Sequence, residues 1–327
     1  MEKEFKPGEP IPSENELSKS FNVGRYTVRE AITSLVTEGY LYRVQGKGTI
    51  VTKAVERNEF GVIFFNIYDP NDPYFEGIIQ GIEEEAKSKD YHLHLYTTRG
   101  KSITEEEGLL KNLILSKRLL GLFILSPIRS KDLVFFKKKR IPFVIINNEY
   151  PDIDADTILL NHYESAKKAT EKLIEEGHRR IGLLTGPFEK KNHIIRSAEY
   201  ILTGYKDALC SHSIPFDSSL FKEREHLEEE GYSAMKEFFS LRERPTAYLI
   251  PSASLTFGAY KFIRKRGVES EIKIVGYFNE KEKLIPPGFL VPLLKMGRTA
   301  FKVLEERRKE ERKEYRKIKI QLEMIWE

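Results

Sequence analysis

A single cysteine, Cys210, in 327 residues rules out an internal disulfide, and nothing in the composition suggests an oxidising compartment. No apolar run approaches membrane-spanning length and no secretory leader is visible, which argues against a membrane protein and an exported solute-binding protein. A cytoplasmic location is expected. Excess charge of one sign is also scarce. The formal net charge of +4 is too small to indicate nonspecific nucleic-acid binding by itself. Residues 1–52 hold seven Lys/Arg and seven Glu, so any DNA-binding role there requires the positive charges to be sorted onto one face. A glycine-rich phosphate loop is absent, as is any acid pair that converges by sequence. Cys210 and His212 close the helical stretch 197–211 with no third orienting group, and His92 and His94 share a strand face without cysteine or carboxylate company. Neither an enzyme, a metal site nor a cofactor is expected.

What is present begins at residues 7–51. Ser13 followed by Glu16 forms the sequence pattern of a capping box, so a short helix starts near Glu14 and carries Leu17 inward. Phe21-Asn22-Val23-Gly24 reads as a turn, and a second helix is predicted over 25–38. On it Val28, Ile32, Leu35 and Val36 form one apolar stripe at helical spacing. Arg25 and Arg29, four apart, lie along an edge of that stripe in the N-terminal half. Gly39 ends the helix. Residues 40–44 and 49–51 then read as two strands around the tip Gln45-Gly46-Lys47-Gly48, a small hairpin able to enter a minor groove or lie on phosphates.

Over essentially its whole length this segment resembles the GntR-type winged helix. The resemblance implies that Ser13, Asn15, Arg25, Tyr26, Thr27 and Arg29 face DNA from the two helices, and Gln45, Gly46 and Lys47 from the wing. Arg25 and Arg29 suit base contacts, since arginine can bond guanine O6 and N7 bidentately; Thr27 and Lys47 suit phosphates. The alternative is a surface helix with ordinary charges, but the joint match of cap, turn, arginine pair and glycine wing favours the DNA-reading assignment. Winged helices of this type carry a first helix before the Pro-Gly turn, and only Met1 to Lys6 precede it here. Either that helix is missing or the true start lies upstream; if it is missing, Leu17, Ile32 and Leu35 lose a packing partner.

Residues 53–59 form a polar linker, after which strands and helices alternate. β-rich runs fall at 60–67, 92–98, 120–126, 141–148, 157–161, 180–186, 246–252 and 272–278. Helical stretches such as 75–89 and 105–117 separate them. A closing helix over 299–314 leads to a final strand, 318–326. The alternation predicts parallel sheets buried on both faces. Residues 60–327 exceed one comfortable core, so two α/β lobes are expected, with a small-molecule cleft at the carboxyl ends of their strands.

In this second part Pro70-Asn71-Asp72-Pro73-Tyr74-Phe75, Ile141-Pro142-Phe143-Val144, Glu176-Gly177-His178-Arg179-Arg180-Ile181, Arg244-Pro245-Thr246-Ala247 and Val275-Gly276-Tyr277 occur in an order and spacing that resemble the LacI-type effector domain of the periplasmic-binding-protein fold. The fold class implied is α/β, a two-lobed periplasmic-binding-protein-like domain behind a small winged helix-turn-helix. Tyr74, Phe75 and Tyr232 would supply rings against the effector, and Ser126, Asn148, Glu149, Asn161 and Glu164 its polar contacts. Three groups usual in the family are missing: an Asn-Asp pair reads Ser252-Ala253, the Asp after Gly276 reads Phe278, and an arginine before Gly204 reads Ile201. Arg196, and Asn279 or Glu280, are the candidate replacements. A winged helix and an effector domain joined in this order resemble arabinose-responsive repressors. That resemblance implies a homodimer on a near-palindromic operator, released by L-arabinose, with another sugar or a nucleoside as the alternative effector.

Overall fold

The computed structural model describes residues 5–37, 40–44, 46, 48–51, 59–64, 73–97, 102–103, 119–125, 127–190, 193–280, 285, 287–309 and 314–326. The predicted helix 105–117, Ser126, Gln45 and Lys47 lie outside these residues.

In the N-terminal domain the capping box forms as the sequence pattern requires. The Glu16 N–H donates to Ser13 Oγ at 3.3 Å, and the Ser13 N–H donates to the Glu16 carboxylate at 2.8 Å. Helix Glu14–Phe21 ends on Asn22 in the left-handed region (φ 50°), and helix Arg25–Thr37 follows. Strands Leu41–Val44 and Gly48–Val51 pair antiparallel, and Gly46 and Gly48 at the tip have φ of 78° and 91°, which a side chain would strain. Val28, Ile32 and Leu41 make the core, with Ile11, Leu17, Val36 and Val51 against it. Leu35, read as part of the buried stripe, is instead 39% exposed. Among the described residues no element covers it.

Among the described residues the rest of the chain forms two sheets of six strands and a small hairpin, Glu189–Lys190 with His193–Ile194. The first holds strands Glu59–Phe64, His92–Thr97, Leu119–Ile124, Phe143–Ile146, Asp156–Leu160 and Lys317–Ile320, all parallel. Its first strand starts at Glu59, one residue inside the span read as linker. Leu119–Ile124 is apolar throughout and buried throughout, as expected of a parallel strand with helices on both faces. The second sheet holds Ile181–Thr185, Phe221–Glu223, Ala247–Ile250, Lys273–Asn279, Gly288–Val291 and the antiparallel Glu323–Ile325. Helices Pro73–Lys87 and Leu293–Arg308 cross so closely that a Cβ on Gly81 would lie 2.2 Å from the Leu294 carbonyl oxygen. One on Gly297 would lie 2.1 Å from that of Ile78. Only glycine at both positions lets the two backbones approach this far.

The chain passes between the sheets three times: from Leu160 into helix His162–Glu175, from Val291 into helix Leu293–Arg308, and from Ile320 to Glu323. The stretch 318–326 is therefore two strands in two different sheets, not one. The closing helix is likewise Leu293–Arg308, not 299–314. The first and third passages are tied together. The Asn161 N–H donates to the Ile320 carbonyl at 2.9 Å, and the Asn161 side-chain amide donates to Gln321 at 3.2 Å. No helix among the described residues is long and apolar enough to cross a membrane.

Candidate functional site

Between the two sheets lies a cavity of ≈ 230 Å³, the scale of a small metabolite. It sits beside the crossovers, at the carboxyl ends of strands from both lobes, where an open α/β sheet offers loop and helix-start positions to a ligand. From the first lobe Tyr74, Phe75, Asn148 and Leu125 line it. The second lobe contributes Thr185, Ser252, Tyr277, Phe278 and Asn279, while His162 comes from the first crossover. Tyr74 and Phe75 open helix Pro73–Lys87 and pack edge-to-face, their ring centroids 5.4 Å apart. The lining is mostly apolar wall with a few polar atoms. Of these, Asn148 Oδ1, Thr185 Oγ1 and both nitrogens of His162 are buried and have no hydrogen-bond partner among the described residues. Buried polar atoms are nearly always paired, so three such side chains around one cavity require an explanation.

The residues singled out in the sequence divide cleanly. Tyr74, Phe75, Asn148, Ser252, Phe278 and Asn279 line the cavity, as do Ile201 and Ala253, two positions where the family's polar groups are missing. Arg196, Glu149, Glu164, Tyr232, Asn161 and Glu280 stand outside the lining. Arg196 starts helix Arg196–Ser211 and is ion-paired with Glu199 at 2.6 Å, which keeps its guanidinium out of the cavity wall. Glu149 accepts from the Tyr200 hydroxyl and pairs with Lys317 at 2.6 Å, a contact that joins the first lobe to helix Arg196–Ser211. Burial opposes its charge, but Lys317 and Tyr200 outweigh burial and hold the carboxyl below the usual range. Glu164 is exposed on its helix. Tyr232 packs edge-on against Phe262, 5.3 Å away, in the helical layer of the second lobe.

Sequence reasoning passed over His162, Thr185 and His226. His226 lies against Gly186, where a Cβ would meet its ring at 2.2 Å, and its Nδ1 is 3.0 Å from Ser252 Oγ. The signal for His162 was available: it directly follows the last strand before a crossover, where an α/β sheet presents ligand contacts.

In the N-terminal domain Arg25 and Arg29 converge on one carboxylate. Arg29 donates through Nε (3.1 Å) and Nη2 (2.9 Å) to Glu14 Oε2, and Arg25 Nε lies 3.5 Å from the same oxygen. The bond from Arg29, helped by Arg25, holds the Glu14 carboxyl below its usual range. Ser13, placed among the DNA-facing residues, uses its N–H and hydroxyl on Glu16. Asn15, Tyr26, Thr27 and Gly46 are exposed, Tyr26 at 73%.

Residues 61–284 match the periplasmic binding proteins and sugar binding domain of the LacI family, and residues 1–51 match the bacterial regulatory proteins of the gntR family. The chain belongs to the LacI family. Its DNA-binding domain is of the GntR type. This LacI-family chain is 30% identical to the arabinose metabolism transcriptional repressor of Geobacillus stearothermophilus, over 84% of the chain and 77% of that protein. Identity with the HTH-type transcriptional repressor CytR of Escherichia coli K12 is 28%, over 74% of the chain and 68% of that protein. A LacI-family regulatory protein from Chloroflexus aggregans has the same fold, with a TM-score of 0.69 at 21% identity, covering 82% of this chain and 97% of the other. The protein is thus a DNA-binding transcriptional repressor of the LacI family with a GntR-type reading domain.

Proposed function

We propose that this repressor leaves a near-palindromic operator when a small sugar, L-arabinose in the favoured reading, occupies the cavity between its lobes. The observation that carries this is the likeness of the arabinose metabolism repressor to 84% of the chain, together with a cavity of matching scale at the crossovers. The domain boundaries 1–52, 53–59 and 60–327 give each domain one task, DNA reading before the linker and effector binding and pairing after it. Two copies, paired through their first lobes, would present two recognition helices about one helical turn apart or a multiple. To move the operator from nearly all bound to nearly all free, the effector must favour the released form by about 5.5 kcal/mol. By linkage, operator DNA weakens the sugar to the same extent.

The test is titration of the full-length protein with pentoses, hexoses and nucleosides by calorimetry, with operator release followed in parallel. L-arabinose is expected to raise the melting temperature and to release DNA at millimolar concentration. Failure in both sinks the arabinose assignment and leaves the repressor. A nucleoside is the second reading. It is favoured by the Tyr74, Phe75, Tyr277 and Phe278 rings at the cavity, and by Ile201 and Ala253 where polar groups are usual.

On the DNA side, Arg25 and Arg29 read bases while Asn15, Tyr26, Thr27, Gln45, Gly46 and Lys47 hold backbone and groove. Glu14 sets the direction of both guanidinium groups. Glu14→Ala is therefore expected to weaken the specific site roughly tenfold, because unrestrained arginines lose bidentate geometry. Nonspecific duplex should bind slightly more tightly, one negative charge having gone. Fluorescence anisotropy on specific and scrambled duplexes at one salt concentration separates the two; equal changes on both would show that Glu14 has no orienting role.

A further inference from the structure

His162 is the first residue of helix His162–Glu175 and stands on the crossover that leaves the first lobe at Leu160. Its side chain is only 9% exposed and lines the cavity. Its ring lies parallel to that of Tyr277, with 4° between planes and 6.3 Å between centroids. Tyr277 is fixed in turn, because its hydroxyl is 2.6 Å from Ser165 Oγ on the same helix as His162. The imidazole is thus held in place by packing, yet neither nitrogen has a hydrogen-bond partner among the described residues.

Burial pushes the imidazole down to about 4, so at neutral pH it is uncharged. A neutral imidazole carries one N–H donor and one bare acceptor nitrogen. Leaving both unmatched in a buried position is costly, and a leucine of similar bulk would avoid that cost. A group kept against this cost, pinned by an aromatic neighbour beside a cavity that its residue lines, fits a partner arriving from outside. Hydroxyl groups are the complementary chemistry, since each donates and accepts.

Resting on the reading of the cavity as the effector site, we propose that His162 is an effector-binding residue, pairing its neutral donor and acceptor nitrogens with hydroxyl groups of the ligand from the crossover itself. Asn148 Oδ1 in the first lobe and Thr185 Oγ1 in the second supply further polar points, so one ligand would touch both lobes and the passage that joins them.

The test uses the full-length protein with His162→Leu and His162→Phe, melted with and without L-arabinose. Without sugar, at least one variant is expected to melt roughly 2–4 °C above wild type, the unmatched polar atoms having been removed. With sugar, both are expected to bind about ten- to a hundredfold more weakly than wild type. Both variants melting below wild type without sugar would overturn the assignment, because that outcome means the imidazole is satisfied within the protein. Wild-type affinity retained by either variant would overturn it as well. If L-arabinose does not bind wild type, the choice of effector fails, and the sugar-free melting comparison still decides His162.

Discussion

Replacing Arg25 and Arg29 together by alanine is expected to lower specific operator affinity by roughly two to four orders of magnitude, from about 1–3 kcal/mol per bidentate base contact. Two effects act in the same direction. The guanidinium groups proposed to read bases are lost, and Glu14 loses the two arginines that now neutralise it, 2.9 Å and 3.5 Å away. A bare carboxylate at the start of the first helix would then face the phosphates. Each single variant keeps one arginine on Glu14, so the double loss should exceed the sum of the two singles. It should also be concentrated at one or two operator positions. Footprinting and anisotropy on point-substituted duplexes measure both features. A double variant that binds the operator within a few-fold of wild type would remove this helix as the reading element.

The first helix was legible because its chemistry is local: Ser13 and Glu16 are three residues apart and satisfy each other wherever the helix goes. The apolar stripe on the second helix was legible as a stripe, but periodicity does not reveal which members meet a neighbour. Leu35 therefore reads like Ile32, although one is 39% and the other 4% exposed. The two-lobed plan followed from strand–helix alternation, while the last crossover did not. Residues 318–326 keep β-forming character without a glycine or proline, and a change of sheet at Gln321 leaves no mark in such a run. Short strands such as Phe221–Glu223 and Gly288–Val291 fell below what alternation can detect. In the cavity, positions at strand ends were readable from order and spacing. Arg196 was not, because its direction depends on Glu199 one helical turn later. His162 was readable in position, directly after the last strand before a crossover, but a lone histidine is ordinary in sequence, and its burial without a hydrogen-bond partner among the described residues shows only in the fold.

Asp156→Ala is expected to destabilise the first lobe by about 3–5 kcal/mol, the usual effect of removing one member of a buried ion pair. Asp156 is fully buried at the start of the strand Asp156–Leu160. Its carboxylate accepts from Arg307 Nε at 2.8 Å and from the Arg316 backbone N–H at 2.9 Å. Arg307 stands at the end of the helix that follows the second crossover, with its guanidinium 4.3 Å over the Tyr315 ring. Arg316 immediately precedes strand Lys317–Ile320, which leads into the third. One carboxylate therefore ties the end of the helix Leu293–Arg308 to the start of the return strand, within the excursion that the chain makes through the first lobe between two crossovers. Alanine would remove the Asp156 charge from beside a largely buried guanidinium and the acceptor from the Arg316 N–H. Asp156→Asn keeps an acceptor for that N–H and removes only the charge, so its loss should be smaller. Urea unfolding of the full-length protein measures both variants, with the comparison made on the first-lobe transition if the lobes melt separately. An alanine variant within about 1 kcal/mol of wild type would mean that the Glu314 carbonyl, which already accepts from Arg307 Nη2 at 2.5 Å, suffices to hold the guanidinium. The return strand would then be secured by its ladder to Asp156–Leu160 alone, and the order of strands at that edge would owe nothing to the buried charge.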